Sequence, residues 1–101
     1  MIRAVLSPAA ERDVVEIVTW IAAENPTAAR GFRMALEQLA IAIGDHPEIG
    51  ALKPHIASPP ARFLPIRGYP HVAVYTPARD PPLILRVLHG ARDLPDILHD
   101  L

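Results

Sequence analysis

The 101-residue sequence has no cysteine, so a disulfide framework, a thiolate metal site and a cysteine nucleophile are all excluded, and a reducing compartment suits it. No apolar run approaches the roughly 18 residues a membrane span needs. Met1 to Leu6 carries one basic residue without the long apolar stretch of a secretory leader. An untargeted, cytoplasmic protein is therefore expected. There is no glycine-rich phosphate loop and no Gly-x-Ser-x-Gly elbow, which leaves nucleotide hydrolysis and serine-esterase chemistry without support. His46, His55, His71 and His99 are scattered, with no two at ligand spacing on one helix face, so neither a metal nor a cofactor is expected. A basic excess is missing too. The formal net charge is −1, whereas proteins that live on phosphate backbones draw their affinity from neutralising phosphates. Strong nucleic-acid binding by the chain alone is not expected.

What is present is a globular composition, 50% apolar and 21% charged, in a length that suits one domain over residues 1–101. A domain of this size buries only about 60 to 70% of the surface its unfolded chain exposes, so a partner covering apolar surface adds appreciably to its stability. Charge is unevenly placed. Residues 1–50 carry four arginines against seven carboxylates, a net of −3. From Ala51 to Arg92, Lys53, Arg62, Arg67, Arg79, Arg86 and Arg92 face only Asp80, a net of +5. Asp93, Asp96 and Asp100 make the last segment acidic again.

The periodicity predicts an α+β domain. Ile2 to Leu6 is short, apolar and β-branched in character, and it runs into Ser7-Pro8, an N-capping hydroxyl followed by proline at a position that loses no helical hydrogen bond. Ala10, Val14, Ile17, Val18 and Ile21 then form one stripe at helical spacing, predicting a helix to about Glu24. Asn25-Pro26 repeats the same start signal, so a second, antiparallel helix follows with Ala28, Ala29, Phe32, Leu36, Leu39, Ala40 and Ile43 on its apolar side, ending near Gly44 and Pro47. Pro47 to Pro60 lacks either period and reads as a surface loop. Arg62–Ile66, His71–Thr76 and Leu83–His89 read as an antiparallel three-stranded meander. Pro65 places the first of these at an edge or a bulge, because proline cannot donate to a central ladder. The tail from Asp93 to Leu98 starts like a helix but is too short to stand alone.

Three stretches carry a resemblance: Leu6-Ser7-Pro8-Ala9-Ala10-Glu11-Arg12-Asp13, Ala23-Glu24-Asn25-Pro26-Thr27-Ala28-Ala29-Arg30, and Arg86-Val87-Leu88-His89-Gly90-Ala91-Arg92-Asp93, with Pro47-Glu48-Ile49-Gly50 between them. In wording and in order they resemble the ParE/RelE toxin superfamily of type II toxin–antitoxin systems. That resemblance implies a β-α-α-β-β-β domain with the helix hairpin packed on one face of the sheet. It also implies a cognate protein antitoxin as partner and growth arrest when the toxin is free. RelE-like members are ribosome-dependent messenger RNA endonucleases; ParE-like members bind and poison DNA gyrase and lack the nuclease residues.

Metal-free RNA cleavage needs a base for the 2′-hydroxyl, an acid for the leaving oxygen and cations for the charged transition state. RelE-like toxins meet this need with several lysines and arginines and a late tyrosine or histidine. Here Arg62, Arg67, Arg86 and His89 are the nearest matches, with one lysine and no tyrosine after Tyr75. The set is incomplete, so no residue is assigned as catalytic and the ParE-like reading is favoured. Arg62, Arg86 and His89 would lead in the nuclease alternative. A second alternative is a degenerate, non-toxic binding partner. His89 is either an acid–base group or a residue that hydrogen-bonds the turn at Gly90. Arg86 alternates with Ile84 and Leu88 on one strand face, and is either a free cation or one paired with a carboxylate. Arg62 and Arg67 fall on opposite faces of a regular run. For contact with the target the candidates are Arg67, Arg86, His89 and Arg92; for contact with the antitoxin they are Trp20, Phe32 and Tyr75, with Trp20 expected at the core edge.

Overall fold

The computed structural model describes residues 2–93. Its elements are β1 (Val5–Leu6), α1 (Pro8–Ala22), α2 (Pro26–Asp45), β2 (Ala51–Leu52), β3 (Arg62–Pro65), β4 (His71–Thr76) and β5 (Leu83–His89). One five-stranded sheet has the order β1-β5-β4-β3-β2. Among the described residues only the β1–β5 pair is parallel. The expected α+β order of strand, helix hairpin and meander is observed, with one strand more than the sequence suggested.

The two helices start where the caps place them. Ser7 Oγ accepts the Ala10 amide at 3.0 Å and Asn25 Oδ1 accepts the Ala28 amide at 3.0 Å, each with proline at the first helical position. Ser7 also ties the helix start to the sheet, donating its hydroxyl to the Leu85 carbonyl at 2.7 Å and its amide to the Ile84 carbonyl at 2.9 Å. β1 is shorter than the Ile2–Leu6 run because Ala4 donates its amide to the Ala40 carbonyl of α2 instead of to a strand. Gly44 permits that approach, since a Cβ there would clash with the Ile2 carbonyl oxygen.

Both faces of the sheet are covered. On the helix side, Val14 of α1 and Phe32, Leu36, Leu39 and Ile43 of α2 pack with Ile66, Ala73, Tyr75, Ile84 and Val87. Burial of each large apolar side chain is worth about 1.5–3 kcal/mol. On the opposite face Phe63, Val72, Val74 and Leu88 pack against Ile56, Ala57 and Ala61, which belong to the connection before β3. The Pro47–Pro60 segment is thus a surface loop as read, but it carries β2 and supplies the lid of a second core. Pro65 pairs with Val72, while β2 reaches only Arg62 and Phe63, so the outer side of Pro65 makes no ladder bond. The edge expectation holds there.

One correction concerns β5. Val74 pairs with Arg86 but Tyr75 pairs with Ile84, so Leu85 is a bulge residue. The alternation expected across Ile84, Arg86 and Leu88 is broken: Ile84 joins the helix-side core and Leu88 the other. The expectation for the tail falls, from residue 94 onward, outside the described residues. Among the described residues no helix is long and apolar enough to cross a membrane.

Candidate functional site

Where α1 passes the last strand, an open cleft of about 610 Å³ lies between Asp13, Glu16 and Trp20 on one side and Arg86, His89 and Arg92 on the other. It gathers three of the four cations and imidazoles expected to meet a target. Its most ordered feature is the pair formed by Asp13 and Arg86. Arg86 Nε donates to Asp13 Oδ2 at 2.8 Å and Nη2 donates to Oδ1 at 2.9 Å, a bidentate fork. Asp13 Oδ2 also accepts the Val87 amide at 3.0 Å, which satisfies the edge of β5 beyond the short β1. The hydrogen bond to Asp13 raises the Arg86 pKa further, against a smaller opposing effect of burial. Arg86 is therefore the carboxylate-paired residue of the two readings the sequence left open. Asp13 lies off the apolar stripe of α1, and its role depends on where β5 returns.

His89 closes a turn. Its amide donates to Asp93 Oδ2 at 3.1 Å, its Nδ1 accepts the Arg92 amide at 3.3 Å, and its carbonyl accepts the Asp93 amide at 2.9 Å. Arg92 Nε donates to Asp93 Oδ1 at 3.0 Å. That bond, more than the backbone amide of His89, holds the Asp93 carboxyl below its ordinary pKa. The turn-stabilising reading of His89 is the one this geometry carries. Opposite it in the β4–β5 ladder stands His71, with ring centroids 5.5 Å apart. His71 also packs edge-on against Phe32, its Nδ1 is buried without a partner, and its pKa is lowered by burial first and then by His89 and Arg92. The sequence reading missed this neighbour, although the meander's register brings His71 and His89 together once both strands are assigned.

The other candidates lie elsewhere. Arg62 Nη1 donates to the Gly50 carbonyl at 2.8 Å and the Glu48 carbonyl at 3.3 Å, so it fastens the loop before β2. Arg67 does not share a regular strand with Arg62, because β3 stops at Pro65 and Arg67 is exposed in the turn beyond it. Phe32 and Tyr75 are corrections: both are fully buried, and neither offers surface to a partner. Phe32 stacks edge-on with Tyr69 in the helix-side core. The Tyr75 hydroxyl donates to the Pro47 carbonyl at 2.7 Å and accepts the Gly50 amide at 2.8 Å, and burial raises its pKa. Trp20, expected at the core edge, is 75% exposed. The stripe from Ala10 to Ile21 already fills the side of α1 that meets the sheet, leaving the indole at the mouth of the cleft.

Chemically, the arrangement presents few free cations. Arg86 is neutralised by Asp13, Arg92 is bonded to Asp93, Arg62 serves backbone carbonyls, and the His89 Nδ1 is engaged. The cleft and the loop clasp are built to hold β5, α1 and the pre-β2 loop in place.

Comparison with known proteins agrees with this architecture. A family model described as ParE toxin of the type II toxin-antitoxin system, parDE, matches residues 4–94. Among solved structures, one described as the chromosomal ParDE TA system from P. aeruginosa superimposes with a TM-score of 0.72, at 19% identity, over 88% of this chain and 96% of that one; at that identity the likeness concerns the fold. No curated protein matches the chain. With the family model spanning nearly every described residue, from β1 through the Arg92–Asp93 turn, the chain belongs to the ParE toxin family of type II toxin–antitoxin systems.

Proposed function

We propose that this toxin acts by binding DNA gyrase, not by cutting RNA, and that a cognate antitoxin holds it inactive in the cytoplasm. The observation that carries the proposal is the bidentate Arg86–Asp13 pair, at 2.8 and 2.9 Å. A nuclease needs cations free to meet a phosphorane-like transition state, and the arginine best placed for that work here already has its carboxylate. The incomplete nuclease set and the net charge of −1 point the same way. Binding a protein target requires no such free cluster, and Arg67 and Arg92 remain on the surface for it.

The purified chain added to gyrase and relaxed plasmid should block supercoiling and leave cleaved DNA–gyrase complexes. Added to translating ribosomes, it should leave messenger RNA intact. Message cut in the second assay with gyrase unaffected in the first would assign the chain to the nuclease class. A chain inactive in both would be a degenerate binding partner.

A further inference from the structure

The cleft beside α1 holds charge that is not balanced within it. Of the five permanently charged side chains lining it, Asp13 is paired with Arg86 and Asp93 with Arg92. The fifth, Glu16, has no ion pair or hydrogen bond among the described residues, and the Arg92 guanidinium feels it only as a weak coulombic influence. Its three carboxylates against two guanidiniums leave the lining one net negative charge.

Glu16 and Trp20 are four residues apart on α1 and so stand side by side on one helix face. Trp20 is the most exposed large apolar residue described. An unpaired carboxylate beside a bare indole is a pairing that suits a guanidinium. The carboxylate accepts its charge-assisted hydrogen bonds while the ring face takes the cation, and arginine is the basic side chain whose planar, weakly hydrated head stacks best on indole. An acidic or phosphorylated ligand would meet Glu16 as a like charge, and a wholly apolar segment would desolvate it without a partner.

We propose that this cleft receives an arginine side chain of the antitoxin, with Glu16 as counter-charge, Trp20 as aromatic wall and Ile17 as the floor for a neighbouring apolar residue. This rests on the reading above that an antitoxin binds the chain. Glu16 and Trp20 are both exposed, so their replacement leaves the core intact.

The test uses full-length chain titrated with the cognate antitoxin in low salt, read by the emission of Trp20, the protein's one tryptophan. Binding should shift that emission, and Glu16→Gln should weaken the complex about tenfold, a loss that shrinks as salt is raised. Trp20→Ala, followed by calorimetry, should weaken it at least about tenfold, and Glu24→Gln, an exposed carboxylate at the hairpin turn, should change nothing. An antitoxin arginine changed to glutamate should be rescued by Glu16→Arg. Tight binding with unchanged affinity for Glu16→Gln and Trp20→Ala would overturn the proposal while leaving the antitoxin reading intact. No complex at all would remove that reading and this proposal together. A free chain whose Trp20 emission already matches the complex, and shifts on truncation after Asp93, would give the cleft to the chain's own residues 94–101 and overturn the proposal.

Discussion

Asp13 and Arg86, 73 residues apart in sequence, form a fork of two hydrogen bonds that joins the first helix to the last strand, and Asp13 adds a third bond to the Val87 amide. One carboxylate thus fixes the edge of β5 and removes a candidate active-site cation. Asp13→Ala should destabilise the chain by about 2–4 kcal/mol, because it leaves a part-buried guanidinium and a backbone amide without partners. Glu37→Ala, which breaks the solvent-exposed pair with Arg3, should cost less than about 0.5 kcal/mol. Urea unfolding of the two variants measures the contrast; equal losses would mean the Asp13 fork contributes no more than a surface pair.

Gly50→Ala should be among the more damaging single-methyl additions in the chain. A Cβ there would stand 2.7 Å from Tyr75 Cε1 and 2.9 Å from its hydroxyl oxygen, with the Tyr75 ring fully buried and unable to swing aside. The expected cost is about 1–3 kcal/mol. Tyr75→Phe keeps the ring but strands the Gly50 amide and the Pro47 carbonyl, at a similar cost of about 1–3 kcal/mol. Because both variants disrupt one clasp, the double variant should lose clearly less than the sum of the two single losses. Strict additivity would show that the clasp does not act as a unit.

These two relationships mark what was legible in the sequence and what was not. Ser7-Pro8 and Asn25-Pro26 announce the helices because capping is chemistry of adjacent residues. β4 and β5 are read to their ends because turn residues bracket them. β2 escaped because two residues have no period; it exists only through its pairing with Arg62 and Phe63. The Leu85 bulge, the burial of Tyr75 and the partner of Arg86 depend on which strand lies beside which, and no local pattern encodes that. Trp20 was misjudged because the stripe beside it suffices to cover the sheet. Arg86 and Arg92 meet at one cleft, but their carboxylate partners, Asp13 and Asp93, decide what they can do.

Acid should weaken the fold through His71. Its pKa in the folded chain lies below the ordinary value of 6.5, from burial first and then from His89 and Arg92, with Asp93 opposing. The unfolded chain therefore binds the proton more readily. The stability this group contributes is present above about pH 6.5 and is lost as pH falls through the lower folded value. Unfolding free energies measured between pH 7.5 and about pH 5 should fall more steeply for the wild type than for His71→Gln. Identical slopes would contradict the assignment.

Arg67→Glu should separate function from stability. The side chain is exposed in the β3–β4 turn, so the melting temperature should stay within about 2 °C of wild type. Inhibition of gyrase should drop about tenfold or more if this turn meets the target, as charge reversal in a protein interface does. Unaltered inhibition would remove Arg67 from the target-binding surface.

The most direct test of the central claim is inducible expression of the chain without antitoxin, followed over time for gyrase-linked DNA breaks and for messenger RNA cleavage at ribosomes. The account predicts growth arrest with DNA breaks, induction of the DNA-damage response and intact messages. Rapid message cleavage without breaks, abolished by Arg86→Ala or His89→Ala in a chain that still folds, would contradict it.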